Sequence, residues 1–221
     1  MSSTAATLTD DQSKELLCEL LRSFYDLGWC TGTGGGISLK TASGYIMAPS
    51  GVAKERVQPN QLFEMDANFR ITNESSVSSL KCSECAPLFE AIYRHRNAGA
   101  VIHSHSIPLV LATRRVAPSP RLTWERLEML KGIRGCSYPH AHSVPVIENT
   151  PREAQLLDSV VAALEDLPEN AHAIFVRHHG AYIWGADAME AKRHAEVYDW
   201  LCQFAHAEAG EQDHPEQDRG E

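Results

Sequence analysis

The sequence predicts an α/β fold, with a mainly antiparallel sheet covered by helices on both faces. Amphipathic helical stretches occur near the start, at Leu16 to Phe24, and again at Glu153–Leu164. Short apolar strand-like runs alternate with them, and two of these, Ala100–His105 and Ala173–Arg177, lead into histidines. Hairpin signals near both ends argue against a purely parallel, doubly wound sheet, whose strands need long crossovers.

Thr9 to Gln12 has the spacing of a capping box, and Leu16, Leu17, Leu20, Leu21 and Phe24 follow at helical spacing, with Gly28 as a stop. Ile37–Lys40 and Tyr45–Ala48 read as strands joined by a turn at Ser43-Gly44. Leu62–Asp66 and Phe69–Thr72 suggest a second hairpin, turning at Ala67-Asn68. Residues 74–83 are Ser-rich and read as a loop, and Pro87 suits the first turn of a helix reaching about Asn97. Val144–Ile147 and Ala181–Trp184 add strands, and a last helix spans about Asp187 to Ala207. No repeat or linker interrupts the chain. Residues 1–208 are therefore expected to form one domain, followed by an acidic, disordered tail at 209–221.

The 221 residues suffice for one substantial core, and 43% hydrophobic with 22% charged residues is a globular composition. A net charge of −9 argues against a nucleic-acid or anionic-membrane binder, though a pocket can still be locally positive. No apolar leader follows Met1, and no stretch approaches the ~20 apolar residues of a membrane span. With six dispersed cysteines, best read as reduced thiols, a cytoplasmic protein is expected.

His103-Ser104-His105 carries the most chemical information. Alternate residues of a strand share a face, so both imidazoles would point the same way and could form two legs of a metal tripod. The plain alternative is a pair of surface histidines. His179, after an apolar strand and before Gly180, is a third candidate ligand, and three histidines would leave open coordination positions, as catalytic sites do. His140-Ala141-His142 repeats the spacing without an apolar lead-in and reads as an exposed loop. Cys82-Ser83-Glu84-Cys85 is a lone C-x-x-C with no redox or zinc-knuckle context. Glycines 32, 34, 35 and 36 can turn several backbone N–H groups towards an anion, and Ser50-Gly51 with Lys54 is a second such stretch. For each, a tight turn or ordinary loop is the simpler reading. Glu128 is the carboxylate to watch, with Glu84 competing.

Seven stretches in order carry a family resemblance. They are Thr31–Ser38, Ala48–Gly51 with Lys54–Arg56, Cys85–Phe89, His103–Ser106, Glu128–Gly132, Glu148–Pro151, and His179-Gly180 with Trp184-Gly185. From about Leu16 to Ala205 the chain resembles the class II aldolase/adducin family. The resemblance implies a three-layer αβα sandwich around a mostly antiparallel, mixed sheet, assembled as a homotetramer with active sites near subunit interfaces. It implies one zinc per subunit on His103, His105 and His179, an acid/base at Glu128 and a substrate contact at Cys85. The phosphate of a small sugar phosphate would be held around Gly35, Gly36, Ser50, Gly51 and Ser83. The expected activity is dehydration through an enolate. Glu84 stands where the aldolases keep their catalytic glutamate, which makes C–C cleavage the rival activity. A non-catalytic, adducin-like binding domain is the other alternative.

Overall fold

A computed structural model of the chain describes residues 8–74 and 76–212. Thr9 caps helix α1 (Asp10–Asp26) through the expected reciprocal box with Gln12, which satisfies two N–H groups that the first turn leaves free. The strands are β1 (Gly36–Lys40), β2 (Tyr45–Met47), β3 (Phe63–Met65), β4 (Ala100–Ser104), β5 (Arg121–Trp124), β6 (His142–Ile147), β7 (Ala173–Val176) and β8 (Gly180–Gly185). The remaining helices are α2 (Ala86–Arg96), α3 (Ile107–Arg115), α4 (Leu157–Glu165) and α5 (Ala188–Gln212).

The strands form a single sheet in the order β3-β2-β1-β4-β8-β7-β6-β5. Every pairing is antiparallel except β6 with β7. Side-chain alternation then divides the interior in two. Ala100 and Ile102 of β4 face α1, α3 and α5, packing with Leu17, Leu21, Leu109 and Tyr198. Val101 faces α2 and α4, packing with Leu88, Ile92, Val160 and Leu164. The result is the three-layer α/β/α arrangement, with β4 near the middle of the sheet. No described helix is long and apolar enough to cross a membrane.

Five elements differ from expectation. Phe69–Thr72 forms only an isolated bridge between Ile71 and Met65, because the Asp66 carboxylate accepts from the Asn68 and Arg70 N–H groups and curls the chain. Helix α3, mostly apolar with little periodicity, and β5, too short to stand out, follow the histidine strand unannounced. The residues before α4 form a 3-10 turn, Glu153–Leu156, instead of its first turn. Helix α5 runs to Gln212, because Ala207, Glu208 and Ala209 are good helix formers. Residues 213–221 of the expected tail lie outside the described residues.

His142 is also corrected. It is buried in β6 and not in an exposed loop; its Nε2 meets the Tyr198 hydroxyl at 2.9 Å and its Nδ1 meets Cys136 Sγ at 3.2 Å. Nearby, His172 and His194 stack with ring centroids 4.3 Å apart. Burial pushes His142 and His172 down to about 4 and lowers His194 as well.

This cluster makes stability fall on acidification. A histidine whose folded pKa is depressed binds fewer protons than its unfolded form, so stability is full above about 6.5 and declines towards 4. At ~1.4 kcal/mol per pKa unit, His142 alone accounts for a loss on the order of 3 kcal/mol across that window. His142→Gln keeps a partner for Tyr198 but cannot titrate. Urea unfolding from pH 7.5 to 4.5 should show a shallower decline for this variant than for the natural chain, and parallel declines would refute the assignment.

Candidate metal centre

Three backbone features bring the histidines together. His103 lies in β4, opposite Tyr182 of β8, and their rings stack 4.3 Å apart at 8°. His105 follows just beyond the strand end, its N–H donating to the Trp29 carbonyl. His179 sits in the turn between β7 and β8, where His178 takes a left-handed φ of 58°. Gly180 closes that turn at φ 154°, and a Cβ there would lie 1.9 Å from the Ser104 carbonyl oxygen. The sequence suggested that this glycine admits backbone close to a metal; its role here is to let β8 begin against the end of β4. Gly34 plays a comparable part, since its Cβ would lie 2.4 Å from His105 Nδ1.

The sole parallel pairing in the sheet contributes the rest. Because β6 and β7 run the same way, their exits leave one end of the sheet together. Asn149 after β6 thus meets His179 after β7, and the 3-10 turn that follows presents Glu153 to the same point. Glu153 Oε1 lies 2.7 Å from His103 Nε2 and 3.7 Å from His179 Nε2, and accepts from the Tyr182 hydroxyl at 2.7 Å.

The hydrogen bonds fix which nitrogens carry protons. His103 Nδ1 faces the Ala181 carbonyl at 3.2 Å, so it donates and leaves Nε2 a lone pair. Asn149 Oδ1 accepts from Thr150 N–H and is therefore the acceptor for His179 Nδ1 at 3.1 Å, again leaving Nε2 a lone pair. The three Nε2 atoms lie 2.8 Å (His103–His105) and 3.1 Å (His105–His179) apart. One ligand atom each from His103, His105, Glu153 and His179 falls within 4.8 Å of the others. Burial pushes His105 down to about 3 and His179 to about 4, with the neighbouring imidazoles adding to the effect. Burial works against the Glu153 charge, but a proton or cation shared with His103, together with hydrogen bonds from Tyr182 and Cys85, holds the carboxyl well below its ordinary value. Imidazoles converging with a carboxylate form a donor set that can hold a metal ion.

The other sequence candidates fall into two groups. Cys85 is buried beside the cluster, its thiol raised by burial and by Glu153. Ser83 Oγ accepts from the Cys85 N–H, and Ser50 N–H donates to the Lys81 carbonyl, which ties the 50–51 loop to the 81–85 loop. Gly36 pairs with His103 across β1 and β4, Gly35 packs on the Trp29 and His103 carbonyls, and Gly51 borders open space. Lys54 is buried beneath this turn, and burial lowers its ammonium pKa. Glu84 is exposed before α2. Glu128 lies on a 3-10 turn with its side chain 76% exposed, paired to Lys131 at 2.6 Å. Neither glutamate contacts the histidines within the described residues of one chain.

Sequence reasoning missed Glu153, taking it for an ordinary first-turn acid of a helix. Its position two residues after the Glu148–Pro151 stretch was the available signal. A cleft of about 720 Å³, lined by Arg96, Arg134, His172 and Trp184, shares no residue with the donor set. Its Arg96 guanidinium already donates to the carbonyls of Leu167, Pro168 and Ala171, so the chemistry assigns the site to the histidines.

Known proteins agree with this architecture. Residues 15–206 match the class II aldolase and adducin N-terminal domain. A methylthioribulose-1-phosphate dehydratase of Gallus gallus is 45% identical over 199 residues, 87% of this chain and 81% of its own. The Homo sapiens protein of the same name is 44% identical over 202 residues, 88% and 83% of the two chains. The L-fuculose-1-phosphate aldolase of Thermus thermophilus superposes with a TM-score of 0.68 at 21% identity, covering 92% of this chain and 98% of its own. With one sheet and one converging donor set among the described residues, and a match over most of its length, the chain belongs to the class II aldolase and adducin family.

Proposed function

We propose that this chain is a zinc-dependent hydro-lyase that converts 5-methylthioribulose 1-phosphate to 2,3-diketo-5-methylthiopentyl 1-phosphate, a step of methionine salvage. The observation that carries the reading is the convergence of imidazole lone pairs with the Glu153 carboxylate. Two acceptors in contact, such as His103 Nε2 and Glu153 Oε1 at 2.7 Å, repel unless a cation stands between them. A proton can serve one such pair, whereas a metal serves all four ligand atoms. The names of the 44–45% identical relatives supply the substrate.

The dehydration removes a proton from C3 and a hydroxyl from C4, and the enol then ketonises. Zinc on His103, His105 and His179 supplies the Lewis acidity that makes the C3 proton removable. Around it, Asn149 and the Ala181 carbonyl hold two imidazoles in the ligating tautomer. Tyr182 and Cys85 fix the Glu153 carboxylate at the edge of the set. Cys85 shapes the pocket and is not a nucleophile, since its thiol is held protonated and an enolate route needs no covalent bond to the protein. Gly35, Gly36, Ser50, Gly51 and Ser83 line the approach as phosphate contacts.

Glu128 moves the proton in this proposal and acts from a neighbouring subunit of a homotetramer. Its carboxylate is exposed and paired with Lys131 of its own chain, and the family resemblance sets active sites near subunit interfaces.

Purified protein should carry about one zinc per chain and form the diketone from the ketose phosphate; chelation should stop turnover. Single changes of His103, His105 or His179 to Ala should remove both metal and activity, while His140→Ala should remove neither. Full zinc retention in His179→Ala would sink the tripod. Glu128→Gln should keep zinc yet lose at least ~100-fold in kcat, the lower bound usual for a general acid/base. Glu153→Gln should instead lower zinc affinity, by about 10-fold or more. Co-assembling inactive His103→Ala and Glu128→Gln chains should restore part of the activity. If mixed tetramers stay dead, the proton-transfer role moves from Glu128 to a carboxylate of the same chain.

A further inference from the structure

Lys54 is buried at this site without an ion pair among the described residues, the Glu153 carboxylate favouring its charge only from beyond contact. Only 2% of its surface is exposed, yet its ammonium meets only carbonyl oxygens, Thr33 at 2.9 Å and Val52 at 3.5 Å. No carboxylate of the described residues lies within ion-pair distance. An ammonium carries three N–H donors, so one remains unused. Taking such a charge out of water is unfavourable unless an anion offsets it, and surface lysines normally avoid the cost by reaching solvent.

The position of the charge narrows the anion. Thr33 adjoins Gly34, which packs on the His105 ring, and Gly36, against the Lys54 stem, pairs with His103. Lys54 itself belongs to the loop that begins at Ser50-Gly51. The ammonium therefore joins the two anion-donor stretches of the sequence and borders the metal ligands. In a 2-ketose 1-phosphate, only three bonds separate the carbonyl carbon from phosphorus. A phosphate placed there lies beside any carbonyl held at the donor set, whereas a phosphate on the far end of the sugar does not.

We infer that Lys54 is a substrate-binding residue whose buried ammonium pairs with the phosphate and selects ketoses phosphorylated next to the carbonyl over those phosphorylated at the far end. The choice of a ketose 1-phosphate rests on the dehydratase reading above, but the charge pairing does not require turnover. An apolar residue of similar length would fill the same volume with no ion to desolvate.

Calorimetry on the zinc-loaded protein tests this with inorganic phosphate, ribulose 1-phosphate and ribulose 5-phosphate as probes. The natural chain should bind the 1-phosphate more tightly than the 5-phosphate. Lys54→Met should weaken binding of inorganic phosphate and of the 1-phosphate at least ~10-fold, the scale of a charge-assisted hydrogen bond, and should erase the preference between the two ketoses. Its zinc content should be unchanged, and its Tm without phosphate should equal or exceed that of the natural chain. Lys54→Gln, which can still donate to the Thr33 carbonyl, should lose phosphate to the same degree. Undiminished phosphate affinity in either variant, or equal affinity of the natural chain for both ketoses, overturns the inference. So does a lowered Tm with lost zinc in Lys54→Met that Lys54→Gln repairs, since Lys54 would then be a clamp on the Thr33 turn. If no diketone forms from the methylthio substrate while phosphate binding still depends on Lys54, the dehydratase reading fails and this one stands.

Discussion

The structure is organised around an electrostatic conflict. Imidazole lone pairs and an ionised carboxylate are held within 4.8 Å of one another, in surroundings where only His103 is fully buried and the other three are half-buried. Such a set does not assemble through its own attraction. It is imposed by backbone contacts made elsewhere: β8 pressed on the Ser104 carbonyl at Gly180, and the glycine turn pressed on His105 at Gly34. Both contacts depend on the absence of a side chain. The favourable free energy comes from the two apolar layers that pack against β4, and part of it is spent on holding the donor set in place.

Sheet topology explains why the ligands come from distant parts of the chain yet meet at one end. Antiparallel pairing of β4 with β8 sets His103 against Tyr182, and the tight β7–β8 turn delivers His179 beside His105. The lone parallel pair, β6 with β7, adds the residues that tune the ligands. Asn149 orients His179, and Glu153 closes the set from the turn beyond. An antiparallel β6 would send that connection to the opposite end of the sheet. The mixed character of the sheet is thus tied directly to the chemistry of the site.

Much of this was legible in the sequence, for identifiable reasons. The α1 capping box, the apolar run before His103 and the apolar strand before His179 are local signals, and local signals survive folding. His103 and His105 could be paired from strand alternation alone. What the sequence concealed depends on contacts distant along the chain. Glu153 looks like any acid opening a helix until the β6–β7 pairing brings it to His103. His142 looks like a loop residue because its burial comes from Tyr198, 56 positions away. Phe69–Thr72 has strand composition, but the Asp66 side chain offers its backbone a cheaper local partner. Glu128 stays exposed in the single chain, paired with Lys131, so the fold of one chain adds nothing to what its sequence suggested.

An acidic chain that accepts a phosphorylated sugar must solve attraction at short range. The net charge of −9 sits mostly on surface carboxylates, and at physiological ionic strength their repulsion fades beyond about 8 Å. Lys54 and the cation implied by the donor set act inside that distance, from positions shielded from counter-ions. Local charge therefore outweighs the net charge for a ligand already in the pocket, while the acidic surface deters polyanions too large to enter it. The same burial that makes Lys54 costly to the free protein makes it effective towards a bound anion, because the dielectric that fails to solvate the ammonium also fails to weaken its field. Selection at this site then depends on where an anion stands relative to the donor set. A substrate is favoured when its negative group and its carbonyl match the separation of two charges that the fold holds fixed.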